Sequence, residues 1–325
     1  MPHALARNTA DVFTVDEIRT RLLNELNEAL DPLGGLGRMS LLQEPPKGGE
    51  DNPEKVILRN RKGSPAAILF CSRSVAPGYV AEEEQNIARV KGQLGPDLGQ
   101  VILDPLLTGQ VDGLTYSVRP WRQPLSSARW IRRAQRALIR PKVITWLREV
   151  VRVTVFSPGP GDLEPDFLCP LDFLSKQTRL ASSVRERSRR AIRRLLDGEW
   201  RPRYVLDHGD FWLGNVLLDS SWTAVPRLTC QFIVIDWRGA SLRGYGFSDL
   251  LQFARSTGLR GKALLQECRR HQCILDLSPE DSMAQLLVGL GRLGMNLERF
   301  PEDRFVDLVE RLYSTFSAIV GEGNV

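Results

Sequence analysis

The chain has 325 residues, 42% of them hydrophobic and 26% charged, with a formal net charge of +5, which is typical of a globular protein with one large or two modest cores. No apolar run approaches the length of a membrane span, and the first residues lack the apolar segment of a secretory signal, so we expect a cytoplasmic protein without membrane contacts. The five cysteines are scattered and odd in number, which favours reduced thiols over a disulfide framework.

A helix is predicted near the amino terminus. Thr14 and Glu17 have the spacing of a capping box, in which each side chain bonds the backbone N–H of the other residue. Pro32 and Gly34 end the helical pattern, so we expect a packing helix that carries no chemistry. The apolar residues on one face of this helix are Ile18, Leu22, Leu26 and Leu30.

The runs that follow predict a β-sheet. Asp112 and Gly113 are a residue pair typical of a tight hairpin, and they connect the last two expected strands. A helix over residues 79–94 interrupts the series of strands. The five strands are expected over residues 39–43, 55–59, 66–71, 101–107 and 114–118.

Positive charge is concentrated in the middle of the chain. Residues 119–204 contain 20 Lys and Arg against 8 Asp and Glu, a net charge of +12. The pattern is helical from residue 126, with Pro141 expected to divide the first segment and a further helix expected over residues 172–196. Such a segment attracts a nucleotide or an acidic peptide or protein partner, whereas a solvated helix face explains most of the arginines. Without interleaved aromatic residues or an RNA-binding module, nucleic acid is not an expected partner.

The most informative stretch is Tyr204–Ala240. Within it, Asn215 lies five residues after Asp210 of a His208-Gly-Asp run, and Asp236 ends an apolar strand of Phe, Ile, Val and Ile. Phosphoryl transfer requires such a set, because one carboxylate orients the attacking hydroxyl while an amide and a second carboxylate hold Mg²⁺ against nucleotide phosphates. The alternative is a hairpin with Asp-Gly and Gly-Asn turns whose acids are solvated.

These residues, with the Leu-Leu after Asn215 and the Ile-Asp-Trp that ends at Trp237, resemble the signature of the aminoglycoside phosphotransferase and choline kinase family. The resemblance implies an α+β, two-lobe, protein-kinase-like fold. Residues 1–118 would form a small five-stranded lobe with a helix C, and residues 119–325 a mainly helical large lobe. It also implies that Asp210 is the catalytic carboxylate, that Asn215 and Asp236 bind Mg²⁺, and that His208 braces the loop.

The same resemblance assigns nucleotide-binding positions to the small lobe. The family places a lysine on the third strand, but Phe70 stands there, and Arg73 is the nearest cation that could replace it. Glu83 has the register of the helix C glutamate that pairs with this lysine, although a solvated glutamate would look the same. Arg119 and Trp121 mark the hinge that would meet the adenine.

Two further features take their meaning from the resemblance. The loop with Gly48 and Gly49, between the first two strands, is either a phosphate-covering hairpin or an ordinary surface loop. Asp249 resembles the carboxylate that braces the catalytic loop, and it could equally be an acid at a helix N-terminus.

The function implied is Mg²⁺-dependent transfer of the γ-phosphoryl group of ATP or GTP to a hydroxyl of a small molecule, with the nucleotide in the cleft of the fold. Two alternatives remain open from the sequence. Because Phe70 replaces the lysine, the protein could be a pseudokinase or nucleotide-binding partner that transfers nothing. The acceptor could also be a hydroxyl of a peptide, docked by the basic middle of the chain.

Overall fold

The computed structural model describes residues 15–42, 52–219, 232–297 and 301–321. The chain divides into two compact units, which we call the small unit, Met1–Ala88 with Ile102–Gln123, and the large unit, Arg89–Val101 with Pro124–Val325. A five-stranded antiparallel sheet dominates the small unit and helices dominate the large unit, so the α+β fold expected from the sequence is confirmed.

The sheet of the small unit has the strand order β1-β2-β3-β5-β4, with every neighbouring pair antiparallel. Helix α1, Val15–Leu30, precedes the sheet, and its predicted cap, Thr14 with the Glu17 side chain, lies outside the described residues together with the Ile18 side chain. The strands are β1 Leu36–Leu41, β2 Glu54–Asn60, β3 Pro65–Cys71, β4 Leu107–Val111 and β5 Leu114–Pro120.

One face of the sheet packs against α1 because side chains alternate along each strand. Leu22 and Leu26 of α1 meet this face, and both are at most 2% exposed. The strand residues that share this core are Met39, Val56, Leu58, Ala67, Leu69, Cys71, Leu114, Tyr116 and Val118. The opposite face therefore carries the alternate residues of the same strands.

The fourth strand starts later than the sequence predicted. Residues 101–106 are irregular and β4 begins at Leu107, because Pro105 has no backbone N–H to donate to a sheet ladder. The turn prediction was right. Asp112 and Gly113 both have positive φ, 47° and 81°, the conformation that a two-residue type I′ hairpin requires.

Helix α2, Tyr79–Gly99, begins in the small unit and ends in the large unit. Its helical geometry is broken at Gly95, whose φ of 69° and ψ of 179° precede Pro96. Proline disfavours the helical conformation in the residue before it, and glycine accepts the resulting backbone at little steric cost.

The large unit contains seven longer helices among its described residues. Two helix predictions need correction. Pro141 lies inside α3 rather than dividing it, since burial of Ile144 and Leu147 on the continuing face outweighs the roughly 3 kcal/mol that an interior proline costs. The helices are α3 Arg129–Thr154, α4 Cys169–Lys176, α5 Ser182–Leu196, α6 Phe247–Thr257, α7 Lys262–Leu275, α8 Pro279–Met295 and α9 Glu302–Gly321.

The second correction concerns the helix expected over residues 172–196, which is split into α4 and α5. Leu180 lies in the connection and is only 2% exposed, so its insertion into the core interrupts the helix without a glycine or proline. On α9, by contrast, apolar residues recur at helical spacing between residues 305 and 319 and predict a buried face, which the structure confirms. Its buried residues are Phe305, Val309, Leu312, Phe316 and Ile319.

Four short strands of the large unit position the candidate site. They are β6 Val205–Asp207, β7 Val216–Leu218, β8 Phe232–Val234 and β9 Ser241–Gly244. β6 pairs antiparallel with β9, and β7 pairs antiparallel with β8. None of the described helices is long and apolar enough to cross a membrane.

A buried ion pair connects α3 with α7. Arg148 Nε and Nη2 donate to the two carboxylate oxygens of Glu267 at 2.8 and 2.9 Å, and the Glu267 side chain is 3% exposed. Burial opposes ionisation of Glu267, but hydrogen bonds from Arg148 and Arg270 outweigh it, so its pKa is lowered from the ordinary value. The ionised carboxylate therefore stabilises the packing of these helices.

We expect Glu267→Gln to lower the free energy of unfolding by about 3 kcal/mol at neutral pH, because Arg148 loses its charged partner. A depressed pKa means that the wild-type advantage is present above the unfolded pKa and is lost as pH falls through the folded pKa. Urea unfolding across that pH range tests this, with Glu149→Gln, from the exposed pair with Arg152, as the control. A constant difference between wild type and variant down to the acid end would contradict the prediction.

Candidate functional site

The face of the small sheet opposite α1 carries the position where a lysine was expected. Phe70 on β3 lies directly opposite Lys55 on β2 and Ser117 on β5. Directly paired residues of antiparallel strands point to the same face, so these three side chains are neighbours. The Lys55 ammonium lies 5.7 Å from the centre of the Phe70 ring.

Arg119 occupies this face next to Phe70, with its guanidinium 5.1 Å from the ring centre. It donates from Nη1 to Glu83 at 3.2 Å, and from Nε and Nη2 to Glu84 at 3.0 and 2.7 Å. Ser117 donates to the same Glu84 oxygen at 2.5 Å. The glutamates of α2 thus have a cationic partner, but it comes from β5 instead of β3.

These positions change two expectations. Arg119 lies within β5 rather than in a hinge beyond it, and its side chain is buried, because the two glutamates compensate its charge inside the unit. Arg73 follows β3 and lies 3.9 Å from Glu54. Trp121 follows β5 and its N–H donates to Ala66 O at 2.9 Å. The loop with Gly48 and Gly49 is outside the described residues.

In the large unit, the His-Gly-Asp run forms the loop after β6. Gly209 has a φ of +83°, and a side chain there would place its Cβ 2.8 Å from Gly239 O, so only glycine fits. The Gly209 N–H donates to Asp207 Oδ1 at 2.9 Å. The loop consequently turns sharply and leaves Asp210 exposed.

His208 is buried beneath this loop. One ring nitrogen, Nε2, lies 3.0 Å from Ile235 O, and the other, Nδ1, accepts from the Asp210 N–H at 3.4 Å. Burial lowers the pKa of His208 despite its bond to Ile235. These contacts fit a neutral imidazole with its proton on Nε2, which ties the loop to the end of β8. Trp237 packs against the ring with centroids 4.7 Å apart.

Asp249, in the first turn of α6, holds the loop backbone from below. Its carboxyl oxygens accept from the His208 N–H at 2.6 Å and from the Gly209 N–H at 3.2 Å. Burial and the neighbouring Asp207 carboxylate raise the pKa of Asp249 well above its ordinary value, which favours its neutral form. The role of a brace, which the sequence left open, therefore has a geometric basis.

The β7–β8 ladder brings the amide and the second carboxylate together. Asn215 immediately precedes β7, and its carbonyl accepts from the Ile235 N–H at 3.0 Å, which places Asn215 beside the residue before Asp236. The Asn215 side chain also reaches the loop after β6, because Nδ2 donates to Asp210 O at 2.8 Å. Strand pairing and one side-chain bond thus connect all three predicted residues.

The two carboxylates lie on connected segments, because Asn215 bonds both to Asp210 O and to the Ile235 N–H. Partial burial and the charge of Asp236 raise the pKa of Asp210. Asp236 adopts a left-handed backbone with φ of 67°, uncommon for a residue other than glycine, and its side chain is exposed. Such a conformation is typical of functional sites, where the surrounding structure maintains it.

The donor set fits a hard divalent cation. Within the described residues, neither Asp210 nor Asp236 has a Lys or Arg within ion-pair distance. The Asn215 Oδ1 atom stays available because Nδ2 makes the bond to the loop. Carboxylate and amide oxygens are the ligands that Mg²⁺ prefers. No three His, Cys, Asp or Glu side chains group as a metal site in the described part of the chain. A cation at this site would therefore need further ligands from a bound molecule or from solvent.

The small unit has a five-stranded antiparallel sheet with α2 following its third strand, and the helical large unit carries the loop after β6. Together these features define a kinase-like α+β protein. The solved structure of a thermostable mutant of the aminoglycoside phosphotransferase APH(4)-Ia, in a ternary complex with ADP and hygromycin B, has the same fold. It is 17% identical, with a TM-score of 0.50 over 92% of this chain and 99% of the other.

Two further solved structures have TM-scores below 0.5. A choline/ethanolamine kinase family protein from Mesorhizobium loti is 14% identical, with a TM-score of 0.47 over 94% of each chain. Choline kinase LicA from Streptococcus pneumoniae is 12% identical, with a TM-score of 0.48 over 91% of this chain and 98% of the other. The sequence matches no protein-family model and no curated protein.

Sequence reasoning did not single out Lys55. Its position opposite Phe70 depends on the register between β2 and β3, which spans a turn with an irregularity at Leu58 and Arg59. A signal was present in the alternation of the second strand, which places Lys55 on the face opposite Val56 and Leu58.

We expect Asp249→Ala to release the loop while the fold persists. Loss of both acceptors should reduce the hydrogen-exchange protection of the His208 and Gly209 amides by about tenfold or more. Ser256→Ala is the matched control on the same helix, because Ser256 Oγ accepts only from the Leu213 N–H of this loop. Unchanged protection at His208 and Gly209 in Asp249→Ala would refute the bracing role.

Proposed function

We propose that the protein is a Mg²⁺-dependent phosphotransferase that moves the γ-phosphoryl group of ATP or GTP to a hydroxyl of a small molecule. The observation that carries this proposal is the convergence of Asp210, Asn215 and Asp236 through one loop and one strand pair. Carboxylates of this kind, without cationic partners in the described residues, fit metal-assisted phosphoryl transfer better than a structural role.

Asp210 is assigned to orient the acceptor and take its proton. Its pKa, raised by burial and by Asp236, makes the carboxylate a better proton acceptor than a solvated aspartate. The acceptor oxygen forms a bond to the γ-phosphorus, the bond to the β–γ bridging oxygen breaks, and the nucleoside diphosphate leaves. Asn215 and Asp236 would hold the Mg²⁺, which when bound neutralises charge on the phosphates.

The comparison with solved structures supports the same class. One solved structure with this fold is a complex with ADP and with hygromycin B. A fold that holds a nucleoside diphosphate and a hydroxylated small molecule in that protein is suited to the reaction proposed for this one.

We expect Asp210→Asn to lower the rate of phosphoryl transfer by about 10²- to 10⁴-fold, because the amide cannot accept the hydroxyl proton. Nucleotide binding should be nearly unchanged. Asp236→Asn should instead weaken binding of the Mg²⁺-nucleotide complex, measured by calorimetry with and without Mg²⁺. Asp172→Asn, from the exposed pair with Lys176, is the surface control. Full turnover in Asp210→Asn would reject the assignment.

The nucleotide also needs a cation. We assign the two functions of the absent lysine, pairing with the glutamates of α2 and binding the phosphates, to two different residues. Arg119 is buried and bonded to Glu83 and Glu84, so we assign it to positioning α2. Lys55 is exposed, lies on the same sheet face and has no carboxylate within ion-pair distance among the described residues. We therefore assign the phosphate-binding role to Lys55, since an ammonium beside Phe70 can replace one attached at that position.

We expect Lys55→Met to weaken nucleotide binding by roughly 10- to 100-fold, the worth of a lost charge-assisted hydrogen bond. The double variant Lys55→Met with Phe70→Lys should recover much of the affinity, because the new ammonium starts from the directly opposite strand position. Lys62→Met, in the β2–β3 turn, is the control. Wild-type affinity in Lys55→Met would refute this role and leave the assignment of Asp210 untouched.

A second candidate function is nucleotide binding without transfer, which the replacement of lysine by Phe70 favours. The two candidates differ in turnover and not in binding. Stabilisation by Mg²⁺-ATP in thermal unfolding, without any ATP hydrolysis or acceptor phosphorylation, would favour the binding protein.

A further inference from the structure

A cavity of about 430 Å³ lies in the large unit beside the candidate catalytic loop. Gly209, which precedes Asp210, contributes to its wall together with Asp207. Arg243 of β9 and Arg292 of α8 line other parts of the cavity. Its volume is within the range of about 300–1,000 Å³ that small-molecule sites occupy.

The first carboxylate of this cavity, Asp166, is already compensated. It accepts from the Tyr204 hydroxyl at 2.5 Å. Arg243 Nη1 lies 3.6 Å from one of its oxygens, and Arg292 Nη1 lies 3.7 Å from the other. Two guanidinium groups and a hydroxyl therefore surround one negative charge, and Asp166 offers little attraction to a cationic ligand.

The second carboxylate, Asp207, is used by the loop. It accepts from the Gly209 N–H at 2.9 Å, and its partner Asp249 accepts from the His208 and Gly209 N–H groups. Three backbone N–H groups thus donate to these two acids, and burial raises the pKa of Asp249, which favours its neutral form. The carboxylates of the cavity therefore already have hydrogen-bond or ion-pair partners in the protein.

The guanidinium of Arg292 has unused hydrogen-bonding capacity. Its side chain is 47% exposed, and the contact of 3.7 Å with Asp166 is too long for a hydrogen bond. It donates no hydrogen bond to any other described residue. Arg243 also bonds to Asp162 at 3.0 Å, with its guanidinium over the Tyr204 ring, so it is held in place beside the cavity. A fork of N–H donors lining a cavity matches a carboxylate or phosphate group.

We propose that the acceptor is a hydroxyl compound that also carries an anionic group, a carboxylate or a phosphate, which binds at Arg292 and Arg243. The proposal rests on the phosphotransferase function and names its substrate class. It predicts that oligocationic aminoglycosides are not the acceptor, because the cavity provides hydrogen-bond donors where those compounds need acceptors. One small molecule could then bind both guanidinium groups with its anionic group and present its hydroxyl at the loop.

Binding is tested with three sugars that differ mainly in charge: glucose, gluconate and glucose 6-phosphate, with hygromycin B as the cationic probe. Calorimetry on the full chain should show that gluconate or glucose 6-phosphate binds at least tenfold more tightly than glucose or hygromycin B. The anion that binds more tightly shows whether the site prefers a carboxylate or a phosphate. Equal or tighter binding of glucose or hygromycin B, or absence of binding by both anions, overturns the proposal.

Arg292→Gln locates the effect. It should raise the Kd and KM for the preferred anion at least tenfold, leaving the KM for Mg²⁺-ATP and the melting temperature unchanged, whereas Arg269→Gln, at an exposed position of α7, should change none of them. An unchanged Kd in Arg292→Gln overturns the proposal. Tight anion binding that depends on Arg292 but never leads to phosphorylation would overturn the phosphotransferase function alone. Phosphorylation of glucose with the same KM as the anions would overturn the anionic acceptor alone.

Discussion

The candidate site depends on the hydrogen bonds that the buried carboxyl group of Asp249 accepts. A loop that exposes Asp210 must leave the N–H groups of His208 and Gly209 without strand partners, and buried N–H groups without acceptors are costly. Asp249 satisfies both from the first turn of α6. Burial and the neighbouring Asp207 carboxylate raise the pKa of Asp249, and the neutral form that this favours costs less to bury than a charged carboxylate.

The two ends of this arrangement are connected through His208. Its imidazole lies between the loop and the end of β8, with one nitrogen near Ile235 O and the other accepting from the Asp210 N–H. Asn215 makes the parallel connection, through the β7–β8 ladder and through its amide bond to Asp210 O. Neutral hydrogen bonds thus connect the segments that carry the two carboxylates, an arrangement that suits the divalent cation of the proposed function.

The small unit solves a separate electrostatic problem. Arg119 of the sheet forms ion pairs with both Glu83 and Glu84. A guanidinium can bond two carboxylates at once, which a single ammonium does less well. Phe70 fills the space beside it as an apolar support in contact with two cations. Separating the cation that holds α2 from the one that meets solvent lets each be optimised for one task.

The sequence by itself determined the local features of this protein. Periodicity predicted the five strands and the buried face of α9, because side-chain alternation and helical spacing are local properties. The spacing of His208, Asp210 and Asn215 indicated the loop for the same reason. Tertiary structure alone decided that Arg119 pairs with the glutamates, that Lys55 lies opposite Phe70, and that Arg292 lines the cavity beside the loop. Those outcomes depend on strand register and helix packing between residues distant in the chain, which no local pattern encodes.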